Sequence, residues 1–239
     1  MCYRTTQLTL IKKLGDHYKA PVVKPEDIEN QKILYQANGF SHPQLATLVN
    51  SDGRQMRLLQ WGLMPNWSGK SLSDMLKHSN NTLNAKVETA RTLPSFRDAI
   101  KNKRCIIPVE SFFEYKHIIH GQTKEKEPYL IHPKQQPYFN LGGLYSHYKN
   151  PENGEWISTF TILTQPANEY MATIHNSAKR MPMMLNDDLI DDWINPDSPT
   201  SLVDEIMKFS CDDSSLEAYR VTTDLIKMGN SPEVLKSID

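Results

Sequence analysis

Apolar and polar positions alternate most clearly in the middle of the chain. Met56–Leu63 (MRLLQWGL) reads as a strand running into a Gly62–Pro65 turn. Arg104–Pro108 and Phe112–His117 follow as strands, and Tyr129–His132, Tyr138–Tyr148 and Trp156–Leu163 add three more. The polar stretch 117–127 (HIIHGQTKEKE) reads as an exposed hairpin connection. Helical spacing lies elsewhere. Pro25 opens a short helix, and Ser95–Lys103 forms a short basic one. Ala167, Tyr170, Met171 and Ile174 share one face of Pro166–Ile174. Asn186–Ile194 and Ser201–Phe209 read as two more helices, the first capped by Asn186 with acids in its first turn. Arg220–Thr222 is a last short strand before a partly irregular tail at 225–239. Strands crowd the middle and helices gather late, which predicts an α+β fold over a βαβ alternation. No linker interrupts residues 56–185, so 1–239 reads as one domain.

Composition narrows the class. A chain of 239 residues, 38% hydrophobic, with 7 Phe, 10 Tyr and 4 Trp, buries a sizeable core and is not disordered. No apolar run reaches the roughly 20 residues that span a bilayer, and the first residues lack the apolar region of a secretory signal. Three widely spaced cysteines without a CxxC argue against a disulfide scaffold or a Cys-based zinc site. The expectation is a soluble cytoplasmic protein with no metal or cofactor, nucleoid-associated if bacterial. A net charge of −1 excludes a surface coated with phosphate-binding residues. The distribution is uneven, however. Lys86, Arg91, Arg97, Lys101, Lys103 and Arg104 crowd residues 84–104, whereas Asp and Glu dominate 186–217, with Lys208 the one cation there. This permits one basic face for an anion, although charge alone favours two solvated surfaces.

Cys2 carries a specific chemistry. Cysteine is small enough for the initiator methionine to be removed, which exposes a 1,2-aminothiol. An α-amine with a pKa of about 7.7–8.0 is substantially unprotonated near neutrality and attacks an aldehyde to form an imine. The adjacent thiol then closes a five-membered thiazolidine. A Cys after Met is, on position alone, usually incidental.

Several stretches change that picture. They are Met1-Cys2-Tyr3-Arg4; Trp61-Gly62-Leu63-Met64-Pro65-Asn66-Trp67; Asn84-Ala85-Lys86-Val87-Glu88-Thr89-Ala90; and Arg104 to Tyr115 (RCIIPVESFFEY). Thr161 to Asn168 (TILTQPAN), Ile174-His175 and Arg180-Met181-Pro182 come after them. In this order and spacing they resemble the SOS-response-associated peptidase (SRAP) family, over about residues 1–235. That family includes shields of abasic sites in single-stranded DNA. The resemblance implies an antiparallel, barrel-like core with peripheral helices, and a monomer whose partner is single-stranded DNA containing abasic sites. It also implies a covalent DNA–protein crosslink in the DNA damage response. Cys2 would be the nucleophile and Asn84 would position the N-terminus or the sugar. Glu114 would shuttle protons at the amine and imine, and His175 would act at the sugar hydroxyl during ring opening. For DNA holding it implies Arg4 on the adjacent phosphate, Lys86 and the 97–104 stretch with Arg97 along the backbone, and Trp67 stacked on a base. Phe40 and Pro43 form a second candidate wedge, and Thr164 a contact to phosphate or the catalytic centre. Trp61, at the end of an apolar strand, reads as core.

The residues themselves leave alternatives open. Asn84 suits a strand end, His175 suits a helix C-terminus, and strand alternation points Glu114 to solvent. If Glu114 is instead buried, its pKa rises. Glu88 and Glu110 compete with it as the functional acid, and only the motif breaks the tie. Tyr3 and Ser111 stand where many members carry Gly, and Lys86 where Arg is common, with loss of bidentate geometry. Asn176-Ser177-Ala178-Lys179 lengthens the link from His175 to Arg180. Two other functions remain in view: a thiol (auto)peptidase, for which Met1 alone precedes Cys2, and a non-catalytic single-strand-binding module.

Overall fold

The computed structural model describes residues 2–67, 69–121 and 123–238, the side chain of His120 aside. Its strands are β1 (Arg4–Gln7), β2 (Leu34–Asn38), β3 (Gln44–Asn50), β4 (Arg54–Trp61), β5 (Asn84–Lys86), β6 (Arg104–Val109) and β7 (Phe112–His120). They continue with β8 (Thr123–Pro133), β9 (Phe139–Lys149), β10 (Trp156–Pro166), β11 (Arg180–Pro182), β12 (Met184–Leu185) and β13 (Leu216–Arg220). Strands β4, β3, β6, β9 and β10 pair in that order, and β10 returns to β4 to close a ring. The closing pair is parallel, with Thr159 and Phe160 beside Gln60 and Trp61; the other pairs are antiparallel.

Closure explains why these strands are apolar on both faces. β6 (RCIIPV) is buried along its whole length. Ile106, Leu48, Leu58, Leu144 and Leu163 pack outward against Ile11, Leu14, Trp193 and Ile206 of the covering helices. Leu45, Leu59, Trp61, Ile107, Leu141 and Phe160 fill the interior, where Trp61 stacks on Phe160 and donates its indole N–H to the Leu83 carbonyl at 2.8 Å. Trp61 is therefore core. The interior is tight at Gly143, where a Cβ would lie 2.5 Å from both Ile107 Cδ1 and the Thr161 carbonyl.

A second antiparallel sheet, ordered β13-β8-β7-β1-β2, shares this inner core through Phe112, Ile131 and Leu216. β1 is pinned between the sheets by Gln7. Its amide donates to the Ala46 and Pro108 carbonyls at 2.9 Å each and accepts from the Ala46 N–H at 2.7 Å, standing in for a peptide group between β3 and β6. Glu110 then takes the Leu8 and Thr9 N–H groups at 2.8 and 2.9 Å. The segment that follows Cys2 is thus held at several points along its length.

Four local expectations change. Helix 95–103 shrinks to Ala99–Asn102, with turns before it. The 117–127 connection is instead paired strand, in register from His117↔Lys126 to His120↔Thr123, because β7 and β8 keep exchanging backbone bonds beyond the core. Asn186 precedes its helix but makes no side-chain cap, and a 3-10 turn leads into Ile190–Ile194. The last strand ends at Arg220, where its pairing with β8 ends at Tyr129. The tail holds helix Leu225–Met228 and a 3-10 turn at Pro232–Leu235. No helix among the described residues is long and apolar enough to cross a membrane.

Candidate functional site

Cys2 lies in the inner core and is 1% exposed. β5 reaches it because Asn84, Ala85 and Lys86 pair in parallel with Ile162, Leu163 and Thr164 of β10. That register lets the Asn84 amide donate to the Cys2 carbonyl at 2.8 Å, while the buried Asn84 Oδ1 accepts no bond. Lys86, two residues on along the same strand face, is exposed.

β7 brings the acid. Glu114 is 5% exposed, so the solvent-facing expectation from alternation fails: both faces of β7 are covered at this point. Burial raises its carboxyl pKa from 4.5 to about 7. His175, 7% exposed, places Nδ1 3.4 Å from Glu114 Oε1. The same Nδ1 lies 2.7 Å from the Arg180 carbonyl, which can only accept. The neutral imidazole therefore carries its proton on Nδ1, and burial lowers its pKa. Burial also holds the Cys2 thiol neutral, and the Glu114 charge reinforces this.

His175 is also the residue after helix Glu169–Ile174, with its N–H on the Met171 carbonyl, so the capping and site readings coexist. The 176–179 stretch does not loosen its surroundings. Asn176 accepts from the His117 N–H at 2.9 Å and donates to the His117 carbonyl at 2.8 Å, which ties the turn to the strand carrying Glu114.

Geometry separates the three acids. Glu110 is engaged by the backbone after β1. Glu88 is exposed and paired with Arg180, Nη2 to Oε2 at 3.0 Å, which lowers its pKa. Glu114 lies beside His175, and burial raises its pKa.

The other candidates fall into two groups. Near Cys2, Arg4 donates to Gln36 Oε1 and lines a cleft with Pro43 and Ile226. Phe40, exposed on its 3-10 turn, packs at a tilt against Tyr3 with ring centres 5.1 Å apart, and the Gly39 N–H donates to the Tyr3 carbonyl. Thr164 is fully buried, its hydroxyl within 3.3 Å of both Arg180 Nη2 and the Ala85 carbonyl. Away from Cys2, Trp67 packs on His78 and among Met64, Met75 and Tyr148. Arg97 is exposed on the turn before Ala99–Asn102. Arg104 leaves the basic face altogether. It is buried, and its guanidinium serves the Ile100, Lys101, Trp193 and Asn195 carbonyls at the C-terminal ends of the helices Ala99–Asn102 and Ile190–Ile194. Sequence reasoning missed Gln36 and Asn176; their roles rest on partners 32 and 59 residues away, and nothing local signals them. Among the described residues no cluster of three His, Cys, Asp or Glu is arranged for a metal.

A closed barrel with a buried thiol near the chain start and a buried carboxyl beside an imidazole defines a class of site suited to proton-assisted chemistry at residue 2. Residues 1–228 match the family described as SOS response associated peptidase (SRAP), and the chain belongs to that family. It is 37% identical over 199 residues to abasic site processing protein YoqW of Bacillus subtilis (strain 168), covering 81% of this chain and 82% of that one. It is 27% identical over 213 residues to abasic site processing protein HMCES of Gallus gallus, covering 80% of this chain and 60% of that one. The crystal structure of a protein from Bacteroides thetaiotaomicron superposes with a TM-score of 0.89 at 29% identity, with both chains fully covered.

Proposed function

We propose that this protein captures abasic sites in single-stranded DNA through Cys2 once Met1 is removed. The observation that carries the reading is that Asn84 holds the Cys2 carbonyl while the charge of Glu114, which lies beside His175, bears on the Cys2 thiol. The α-amine adds to the ring-opened aldehyde and the carbinolamine loses one water to give the imine. The thiol sulfur then bonds to the imine carbon, and its proton goes to nitrogen to close the thiazolidine. Capture therefore releases one water overall. A carboxyl with a pKa of about 7 both accepts and donates protons near neutrality, as amine attack and water loss require. His175 serves the sugar hydroxyl as the closed sugar opens. Arg4, Lys86, Arg97, Phe40, Pro43, Trp67 and Thr164 form the proposed DNA-holding set, with Thr164 acting through Arg180.

The neutral thiol favours this reading over a thiol peptidase. A peptidase attacks with a thiolate, and both burial and the Glu114 charge oppose one here. In capture the amine attacks first, and the thiol adds to an already electrophilic imine. The test is an abasic oligonucleotide resolved on a denaturing gel. A heat-stable adduct should form, vanish with Cys2→Ala and persist with Cys105→Ala or Cys211→Ala. An adduct that survives Cys2→Ala overturns the assignment. Strand binding without any adduct would instead support the non-catalytic binding module.

A further inference from the structure

The loop after β4 and the hairpin joining β9 to β10 enclose a cleft of about 520 Å³. Its walls carry Trp67 and Trp156, and Lys70 and Lys149 stand at its rim with no acid in the lining. Trp156 is 60% exposed, a large apolar ring kept at the surface, and the Lys149 ammonium lies 5.8 Å from its centre. The two elements are fastened together. The Tyr148 hydroxyl donates to the Lys70 carbonyl at 2.8 Å, and the Met64 N–H donates to Thr159 Oγ1 at 2.9 Å. Trp67 also lines a second cavity of about 310 Å³ with Lys103 and with Lys101, the latter paired with Asp98 at 2.9 Å. In the first cleft, two tryptophans with Lys70 and Lys149 and no acid in the lining match the chemistry of a single nucleic acid strand, in which every base has a face to stack and every step a phosphate.

We propose that this cleft is a second nucleotide subsite, which takes an unpaired base and its phosphate from the strand captured at Cys2. It rests on the capture reading and extends it to a remote part of the same strand. Ile162 of β10 stands beside Asn84 of the capture site, and Trp156 begins the same strand. At about 3.3 Å per residue the two ends are roughly 20 Å apart. At the duplex rise of 3.4 Å this is about six nucleotides, and fewer for an extended strand. Acids occur on the hairpin at Glu152 and Glu155, but Glu155 is turned to Asn153 and neither lines the cleft.

The experiment compares capture of two thymidine oligonucleotides with one central abasic site, one with arms of about two nucleotides and one with arms of about eight. Undamaged oligo-dT of the longer length is titrated in parallel. Trp156→Ala and Lys149→Ala should leave capture of the short substrate unchanged and slow subsaturating capture of the long one. For Trp156→Ala the loss should be roughly fivefold or more, the scale of one lost base stack, and Trp156→Phe should restore most of it. Undamaged strand binding should fall in the same ratio. Equal long-strand capture and binding in all variants overturns the proposal, as does equal slowing on both lengths, which would indicate a general structural effect. If wild-type protein forms no adduct but binds undamaged strand in a Trp156-dependent way, the subsite stands and the capture reading falls.

Discussion

Glu114→Gln should make the protein more stable and less active at the same time. The wild-type carboxyl is nearly fully buried, with a pKa of about 7 against 4.5 in the unfolded chain. Between those values the folded state binds more protons than the unfolded one, so this group's contribution to stability falls as pH rises. The contribution is fully present below about pH 4.5 and lost as pH passes through about 7. A difference of about 2.5 pKa units corresponds to about 3 kcal/mol at 1.36 kcal/mol per unit. Glutamine keeps the shape and carries no charge to desolvate. The variant should therefore match wild type near pH 5 and exceed it by about 3 kcal/mol at pH 8.5. In a chain of 239 residues that is a Tm gain of roughly 6–12 °C. His175 has the opposite sign: burial lowers its pKa, so its contribution is full above the unfolded value near 6.5 and is lost as pH falls toward the lowered folded value. Taking the wild-type-to-variant difference at each pH isolates Glu114 from most of that background. The assay is thermal unfolding by circular dichroism from pH 5 to 9, with capture rates measured on the same samples. A gap that does not grow with pH refutes the raised pKa. A growing gap with undiminished capture refutes the proton-shuttle role instead.

Three further outcomes test the rest of the site. His175→Ala should slow capture of a natural abasic site by roughly 10²-fold and spare a substrate with a pre-formed open-chain aldehyde; equal loss on both would remove its ring-opening role. Lys86→Ala and Arg97→Ala should each lower the slope of log affinity against log salt by roughly 0.7, read by fluorescence anisotropy with a single strand, and an unchanged slope would take that residue off the DNA path. Arg104→Ala should cost at least about 3 kcal/mol in denaturant unfolding, since it orphans several buried carbonyls, and should leave the salt slope unchanged.

The strands that surface in the sequence are those whose pattern is local. Arg104–Val109 and the central residues 159–165 of Trp156–Pro166 are largely apolar or β-branched because they are buried on both faces, and both strands are legible in the sequence. Asn84–Lys86 does not, because three residues become a strand only through the edge of β10. Helix Ile11–Tyr18 is hidden for another reason. It has no capping side chain, and it carries Gly15, where a Cβ would lie 2.7 Å from the Ala20 carbonyl. Close approach of the returning chain demands a residue that weakens the helical signal. At the site, Cys2 is legible from its chemistry. The choice among Glu88, Glu110 and Glu114 is not, since each is an acid in a plausible motif. Burial and the partner of each, set by contacts tens of residues away, separate them. Arg104 shows the converse: a basic run reads as one surface, yet one member turns inward to serve backbone carbonyls.

The central claim is that the α-amine and thiol of residue 2 together form the covalent link. Intact-mass measurement of the adduct with a single-abasic oligonucleotide tests it most directly. The expected mass is that of the chain without Met1, plus the oligonucleotide, less one water, and it should be unchanged by borohydride because a closed thiazolidine has no imine to reduce. Peptide mapping should place the link on Cys2. An adduct that retains Met1, gains two hydrogens on borohydride treatment or maps to a lysine would contradict the account.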